Sequence, residues 1–244
     1  MFNLKNWFVV LLSLSFLFLV SCSEDTVSPE QNEEEANTVT DIDGNVYSTI
    51  QIGNQLWMAE NLKTTSYTNG ETIPNVILNS QWAEMSYGAY CAYENTEGNV
   101  DDYGLLYNGY AVTGSRKIAP IGWHIPSDEE WKELEMHLGM FQVSADSTGW
   151  RGTLQGAGLK SVSRWNGNNV SGFTAFHGGY RAGANNGIFH SEGDVAYFWS
   201  STLNNDGHLW MRNLGTAVAT VGRFFLSKEH GASIRCIKDI SGNN

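Results

Sequence analysis

Residues 119–131 read APIGWHIPSDEEW, and this stretch predicts where the one clear helix of the chain begins. Ser127 follows a proline and suits the N-cap position, while Glu130, three residues later, completes a capping box. The acidic side chains at 128–130 are favoured by the positive end of a helix dipole. We therefore expect a helix that starts at Ser127.

The same helix has a predicted buried face and a predicted end. Trp131, Leu134 and Leu138 recur at helical spacing, which indicates a single apolar stripe. Gly139 suits the position just past the end of a helix. A second helix is expected within residues 145–160, although four glycines lower its helix propensity.

Upstream, the sequence predicts a β-hairpin. The turn Asp43-Gly44-Asn45 separates residues 39–42 from an alternating run at 46–52, and a further strand is expected at 55–58. A calcium-binding loop starting at Asp41 is excluded, because the chain lacks the glycine and glutamate that such a loop requires.

Downstream of Trp165, short strands and polar loops are expected. The strand candidates are residues 173–175, 179–181, 197–200, 209–214 and 233–237. An early helix followed by late strands favours an α+β domain with one or two helices, short antiparallel strands and long loops.

The N-terminus has the pattern of a lipoprotein signal peptide, predicted here as residues 1–21. Lys5 precedes an apolar run that is short for a membrane-spanning helix. Residues 19–22 read LVSC and resemble a bacterial lipobox, so we expect cleavage before Cys22 and acylation of that residue, palmitate included. An uncleaved membrane anchor is the alternative.

Residues 22–38 are predicted to be an acidic tether, followed by a domain at 39–239 and a tail at 240–244. Six of the 15 residues from Ser23 to Asn37 are acidic, and such a segment cannot bury enough apolar surface to fold alone. Glu24-Asp25 resemble the signal that exports Bacteroidetes lipoproteins to the outer face of the outer membrane. A lipid-anchored protein of the outer membrane, exposed at the cell surface, is the resulting expectation, and a merely soluble linker is the alternative.

Two cysteines remain in the body of the chain once Cys22 is assigned to the lipid. In the oxidising compartment of an exported protein, a disulfide between Cys91 and Cys236 is expected. Two free buried thiols are the alternative.

Composition excludes several classes of protein. The 244 residues include 26 acidic and 14 basic side chains, a formal net charge of −12. Nucleic-acid binding needs a basic footprint, so nucleic acid is not an expected partner. The apolar fraction of 41% is too high for a disordered chain. We expect a monomeric, charge-poor globular domain.

Eight stretches together resemble one known family, the Fibrobacter succinogenes major paralogous domain. They are DIDGNVY at 41–47, QLWMAENLK at 55–63, YGLLYN at 103–108, APIGWHIPSDEEW at 119–131, GFTA at 172–175, GYR at 179–181, FWSST at 198–202 and SIRCIKD at 233–239. The resemblance covers residues 39–239. It implies a C-type-lectin-like fold whose long loops carry a binding surface.

A search for catalytic signatures is negative. The sequence has no nucleophile elbow, no His-Glu-x-x-His and no phosphate-binding glycine loop. Six scattered histidines lack metal-ligand spacing, so neither a metal nor a cofactor is expected. A pair of carboxylates assembled in space stays open, with Asp101, Asp102, Asp194 and Asp206 as candidates. The expectation is a protein that is not an enzyme.

The tryptophans fall into two groups. Four of them lie beside apolar neighbours and are expected in the core: Trp57, Trp123, Trp131 and Trp199. Trp165 and Trp210 are flanked instead by Asn, Asp and Gly, a pattern that suits stacking on a sugar, although a partly buried ring beside a polar loop is the alternative.

The resemblance to C-type-lectin-like domains implies a ligand surface within residues 204–230. The predicted ligand-binding residues are Trp165, Asp206, His208, Trp210, Arg212, Arg223 and Phe225. We therefore expect a non-catalytic, surface-anchored module that recognises a glycan or a protein. The alternatives are an enzyme acting on polysaccharide and a structural or adhesion protein of the envelope.

Overall fold

The computed structural model describes residues 37–184 and 186–240. The predicted signal peptide, the lipidation at Cys22, most of the tether and nearly all of the tail lie outside the described residues. The described chain is a mixed α and β structure dominated by strands, which confirms the α+β class.

Fourteen strands are present in the described residues: Thr38–Thr40 (β1), Val46–Ile52 (β2), Gln55–Met58 (β3), Tyr90–Cys91 (β4), Leu106–Asn108 (β5), Trp123–His124 (β6), Gly149–Arg151 (β7), Gly178–Arg181 (β8), Phe189–Glu192 (β9), Val195–Leu203 (β10), Leu209–Gly215 (β11), Val221–Leu226 (β12), Gly231–Ala232 (β13) and Ile237–Lys238 (β14). The helices of the same residues are Asn79–Ala83 (α1), Val100–Tyr103 (α2), Gly109–Thr113 (α3), Asp128–His137 (α4), Gln142–Asp146 (α5), Gln155–Leu159 (α6) and Val162–Trp165 (α7). Two 3₁₀ turns, Tyr93–Asn95 and Glu97–Asn99, lead into α2.

The strands form two sheets. The smaller has the order β1-β2-β3-β14-β6, and the larger has the order β4-β5-β13-β8-β10-β11-β12-β7, with β9 paired to β8. In the smaller sheet Ile237 of β14 lies opposite both Trp57 and His124, so the last strand joins the first hairpin to the strand before α4. The predicted hairpin is confirmed, with Val39 opposite Tyr47.

Helix α4 forms as predicted. The Ser127 hydroxyl accepts a hydrogen bond from the Glu130 amide, and the Glu130 carboxylate accepts one from the Ser127 amide. Trp131 and Leu134 are buried, whereas Leu138 is only half-buried. Gly139 follows the helix with φ at +90°, a conformation that favours glycine, and the helix ends there.

The second predicted helix forms only in part, as the short helix Gln155–Leu159 (α6). Residues 145–160 divide into the end of α5, strand β7 and helix α6. Gly149 and Gly152 adopt φ of +82° and +84°, which breaks any continuous helix at both positions. Residues 173–175 were expected to be a strand and make a single bridge instead. Strand β12 was not among the strands predicted from the sequence.

Aromatic rings form the centre of the core. The Trp57 and Trp131 ring centroids lie 4.9 Å apart, and Phe173 packs edge-on against Trp57. Trp123 and Trp199 are also buried, so all four tryptophans predicted for the core lie there. This packing fixes α4 against the sheets.

Candidate ligand-binding cleft

Two of the predicted ligand-binding residues, Arg212 and Arg223, are buried beneath α4. The Arg212 Nε atom lies 2.6 Å from the Glu135 carboxylate, and its NH1 lies 2.8 Å from that of Asp128. The Arg223 NH2 atom lies 2.6 Å from the second Asp128 oxygen. This corrects the prediction: both side chains hold the helix on the sheet and present no free donor edge to a ligand.

These arginines belong to a larger buried network of charge. Arg151 pairs with Glu135, with 2.5 Å between the nitrogen and the oxygen. Burial by itself raises the pKa of Asp128. The hydrogen bond from Arg223 and the positive charge of Arg212 outweigh that effect and lower the pKa to about 2. The helix therefore rests on the sheet through charged groups that compensate one another.

Trp165 is likewise not at a ligand surface. Only 2% of its surface is exposed, and its indole N–H donates to the Thr216 hydroxyl at 2.6 Å. The Lys160 ammonium lies 5.5 Å from the ring centroid. Its polar sequence neighbours lie in the turn beyond α7, while the ring itself turns inward, so this part of the prediction is wrong.

The remaining four predicted residues lie together at the end of β11 and β12 that adjoins the turn from β10 to β11, residues 204–208. Trp210 packs edge-on against Phe225 with centroids 5.5 Å apart, and His208 stacks parallel to Phe225 at 5.8 Å. Arg223 covers the Trp210 ring, with its guanidinium carbon 3.8 Å from the centroid. Asp206 is exposed in the turn. Phe225 nevertheless stays 44% exposed, and a ligand role for these four residues stays a prediction.

The disulfide between Cys91 and Cys236 is not formed in this structure and stays a prediction. Both thiols are free and buried. Cys91 lies in a cluster with Val76 and Trp82, whereas Cys236 lies in a different cluster with Tyr47. Burial raises the pKa of the Cys91 thiol to about 11, which keeps it protonated and unreactive.

A large concavity of the described chain lies elsewhere, on the side of the fold that carries β4 and α2. It is a cleft of about 690 Å³, within the range of known ligand sites. Its lining residues come from five separate segments: Asn45, Lys63, Thr65, Asn75, Ile77, Tyr90, Ala92, Asn95, Glu97, Val100, Asp101 and Leu105. We call this the Tyr90 cleft.

Polar side chains in the Tyr90 cleft are available to a ligand. The side-chain amide of Asn75 and the hydroxyl of Tyr90 make no hydrogen bond to any described residue. Glu97 and Asp101 are exposed and form no ion pair with the described residues. The cleft therefore combines a half-buried aromatic ring with free amide, hydroxyl and carboxylate groups.

One wall of the cleft is held by Asp43. Its carboxylate accepts the Thr65 amide at 2.5 Å and the hydroxyls of Thr64 and Thr65 at 3.0 Å each. Burial raises the pKa of Asp43, but these hydrogen bonds and one from Ser66 lower it below its ordinary value. The pKa of Tyr90 is raised by its burial and by the negative charge of Asp43. Tyr90 is therefore a neutral phenol at physiological pH.

The opposite wall is braced by a buried arginine. Arg181 donates to the carbonyls of Val76 and Ile77 and packs over the Trp82 ring at 4.6 Å. Asn95 adopts φ of +53° and donates its amide to the Ile77 carbonyl at 3.0 Å. These contacts fix both sides of the cleft before any ligand arrives.

A small cavity of about 40 Å³ continues from the Tyr90 cleft. Lys63, Val100 and Asp101 line both spaces, so the two adjoin. The small cavity adds Glu60, which also accepts the Ser48 amide, and Asp102, which pairs with Arg164.

Within residues 37–184 and 186–240, no group of three or more His, Cys, Asp or Glu side chains could hold a metal ion. None of the helices in this part of the chain has the length and apolar character that crossing a bilayer requires.

Sequence reasoning missed most of this cleft. Of its lining residues, only Asp101 was among the candidates. The usable signal was the polar run NTEGN at 95–99, whose turn-forming composition marks an exposed loop. Nothing local to that run, however, indicates that Asn45 and Asn75 lie beside it.

Comparison with known proteins identifies a family. The family model described as Fibrobacter succinogenes major domain matches residues 50–238, more than half of the chain. No curated protein and no solved structure gives a match.

Proposed function

We propose that this chain, which belongs to the Fibrobacter succinogenes major domain family, is a non-catalytic module that binds a glycan outside the cell. The observation that carries the proposal is the Tyr90 cleft, a preformed space with one ring and several unpaired hydrogen-bonding groups. Sugars present CH groups to aromatic rings and hydroxyls to amides and carboxylates. A cleft of this composition matches both needs.

The finer description of the fold and the location belong to the same proposal. We place the domain with C-type-lectin-like folds, in which long loops form the ligand surface, on the strength of the sequence blocks that carry the resemblance. The lipobox at residues 19–22 would attach the module to the outer membrane through Cys22.

A polysaccharide-acting enzyme is the second candidate, because two free carboxylates line the same cleft. Glycoside hydrolysis needs two carboxyl groups that flank the scissile bond. Glu97 and Asp101 instead lie four residues apart on the continuous helical stretch formed by the second 3₁₀ turn and α2. Residues at that spacing share one helix face and approach a sugar from the same side. This arrangement favours binding over hydrolysis.

The direct test is an oligosaccharide array probed with the full chain in detergent. We expect specific binding, and Tyr90→Ala should weaken it about tenfold or more, because the loss of stacking and one hydrogen bond together amounts to roughly 1–3 kcal/mol. The matched control is Trp210→Ala, which removes an aromatic ring of the β11–β12 hairpin and should leave the affinity unchanged.

Three outcomes would count against the proposal. Binding that is lost in Trp210→Ala and kept in Tyr90→Ala would move the site to the hairpin. Absence of any bound oligosaccharide, with a purified protein partner bound instead, would replace the glycan by a protein. Release of shortened products, abolished by Glu97→Gln, would favour the enzyme.

A further inference from the structure

We infer that the Tyr90 cleft selects glycans that carry no anionic group, so that neutral and amino sugars bind and uronic or sulfated sugars are rejected. This inference rests on the proposed function and adds the chemical class of the ligand. It follows from counting the hydrogen-bond donors and acceptors that remain unused in the cleft, and from the charges around it.

The unused groups are mostly acceptors. Asn45 donates one side-chain N–H to Asp41 and Asn95 donates one to the Ile77 carbonyl, which leaves the side-chain oxygen and one N–H of each for a ligand. Glu97 and Asp101 add two carboxylates, which accept hydrogen bonds only. A ligand that fills this cleft must therefore supply donors, and sugar hydroxyl and amino groups do so.

The free donors are fewer. They are the side-chain amide of Asn75, the second side-chain N–H of Asn45 and of Asn95, the Tyr90 hydroxyl and the Lys63 ammonium. A neutral sugar can satisfy them with its ring and hydroxyl oxygens. A carboxylate or sulfate would bring additional acceptors to a surface already rich in acceptors.

The charges around the cleft also disfavour an anionic ligand. Lys63 is the single cation among the lining residues of the cleft, against the two carboxylates of Glu97 and Asp101. The adjoining cavity adds Glu60, whose charge is offset by Arg235 in the same lining, and Asp43 lies close enough to raise the pKa of Tyr90. Asp102 is neutralised by Arg164, so it does not enter the balance. An anionic sugar would meet a net negative surface.

Lys63 is the residue that could reverse this conclusion. Its ammonium lies 6.0 Å from the Tyr47 ring centroid, and it has no acidic partner among the described residues. It lies at the junction of the two cavities and can donate to a ring oxygen or to the carbonyl of an N-acetyl group. Lys63→Gln should weaken binding of neutral sugars several-fold and leave their preference over anionic sugars intact.

The experiment compares neutral, amino, uronic and sulfated oligosaccharides on one array at low salt. The wild-type full chain should bind members of the first two groups and give at least a tenfold weaker signal with the last two. The double variant Glu97→Gln, Asp101→Asn removes two negative charges from the cleft and should raise the signal of the anionic members at least threefold. A second double variant, Glu84→Gln and Glu133→Gln, makes the same change of charge at exposed positions outside the cleft and should raise the signal of the anionic members less than threefold.

Different results would refute the selectivity for non-anionic glycans and the glycan-binding function itself. Wild-type protein that binds uronic or sulfated sugars best overturns the selectivity while the glycan-binding function stands. The selectivity is also overturned, and glycan binding stands, if the two double variants raise the signal of the anionic sugars by the same factor. Wild-type protein that binds no member of the array overturns the proposed function and the selectivity together.

Discussion

Removing the Asp128 carboxylate should lower the free energy of unfolding far more than removing a carboxylate at the surface. Asp128 accepts three hydrogen bonds from arginines: Arg212 NH1 at 2.8 Å, Arg223 Nε at 3.0 Å and Arg223 NH2 at 2.6 Å. Arg212 and Arg223 lie directly opposite each other on β11 and β12. In Asp128→Ala the two cations would face each other with less compensation, and breaking such a buried pair costs about 3–5 kcal/mol.

The pKa of Asp128 gives an independent magnitude for the same interaction. A fall from 3.8 to about 2 corresponds to about 2 kcal/mol of stabilisation in the ionised form. Because the folded pKa lies below the unfolded one, this contribution is present above pH 4 and is lost as the pH falls toward 2. Asp128→Asn keeps the shape and loses the charge, so it should cost about 2 kcal/mol at pH 7 and flatten the acid limb of the stability curve.

Urea unfolding at pH 7 measures both variants, and Glu129→Ala is the matched control. Glu129 is the next residue of α4 and contacts Lys132, but 77% of its side chain is exposed. Exposed pairs contribute about 0–1 kcal/mol. If Asp128→Ala costs no more than Glu129→Ala, the network does not hold α4 on the sheet and the reasoning is refuted.

Three further predictions concern other parts of the chain. His124 has one ring nitrogen 2.8 Å from Glu130 and the other 2.6 Å from Asp239, and the hydrogen bond to Glu130 contributes most to its raised pKa. The contribution of protonated His124 to the stability of the fold should therefore be full below about pH 6.5 and should fall as the pH rises through the raised pKa of His124. His124→Gln should abolish that part of the pH dependence of the urea unfolding midpoint. Trp165→Phe should cost about 1–2 kcal/mol in urea unfolding, because the hydrogen bond to the Thr216 hydroxyl is lost, and should leave the array pattern unchanged. A lost pattern would restore a ligand role for this ring. Cys22→Ser should abolish metabolic labelling with radioactive palmitate and release the protein from membranes, and retained labelling would contradict lipidation at that residue.

Local signals account for the parts of the fold that were predicted correctly. The N-cap at Ser127, the capping box and the Asp-Gly turn of the first hairpin each act within a few residues, and all three form as expected. The four core tryptophans could be recognised because their sequence neighbours are apolar. Where the structure differs at 145–160, the glycines adopt positive φ and divide the segment.

The site was harder to predict because its determinants are distant in sequence. The alternation of polar and bulky residues along β11 and β12 resembled an exposed ligand surface. The partner that buries Arg212, Glu135, lies 77 residues away on α4, and no local pattern indicates it. The Tyr90 cleft likewise joins Asn45, Asn75 and Asn95, which only the folded sheets bring together.

The central claim is that a glycan binds in the Tyr90 cleft. The most direct measurement is NMR of the full chain with the oligosaccharide that binds most strongly on the array, following each backbone amide during a titration. We predict saturating shifts at Asn75, Tyr90 and Asn95, with the amides of residues 206–212 unmoved. Shifts confined to residues 206–212, or no saturating shift at any amide, would contradict it.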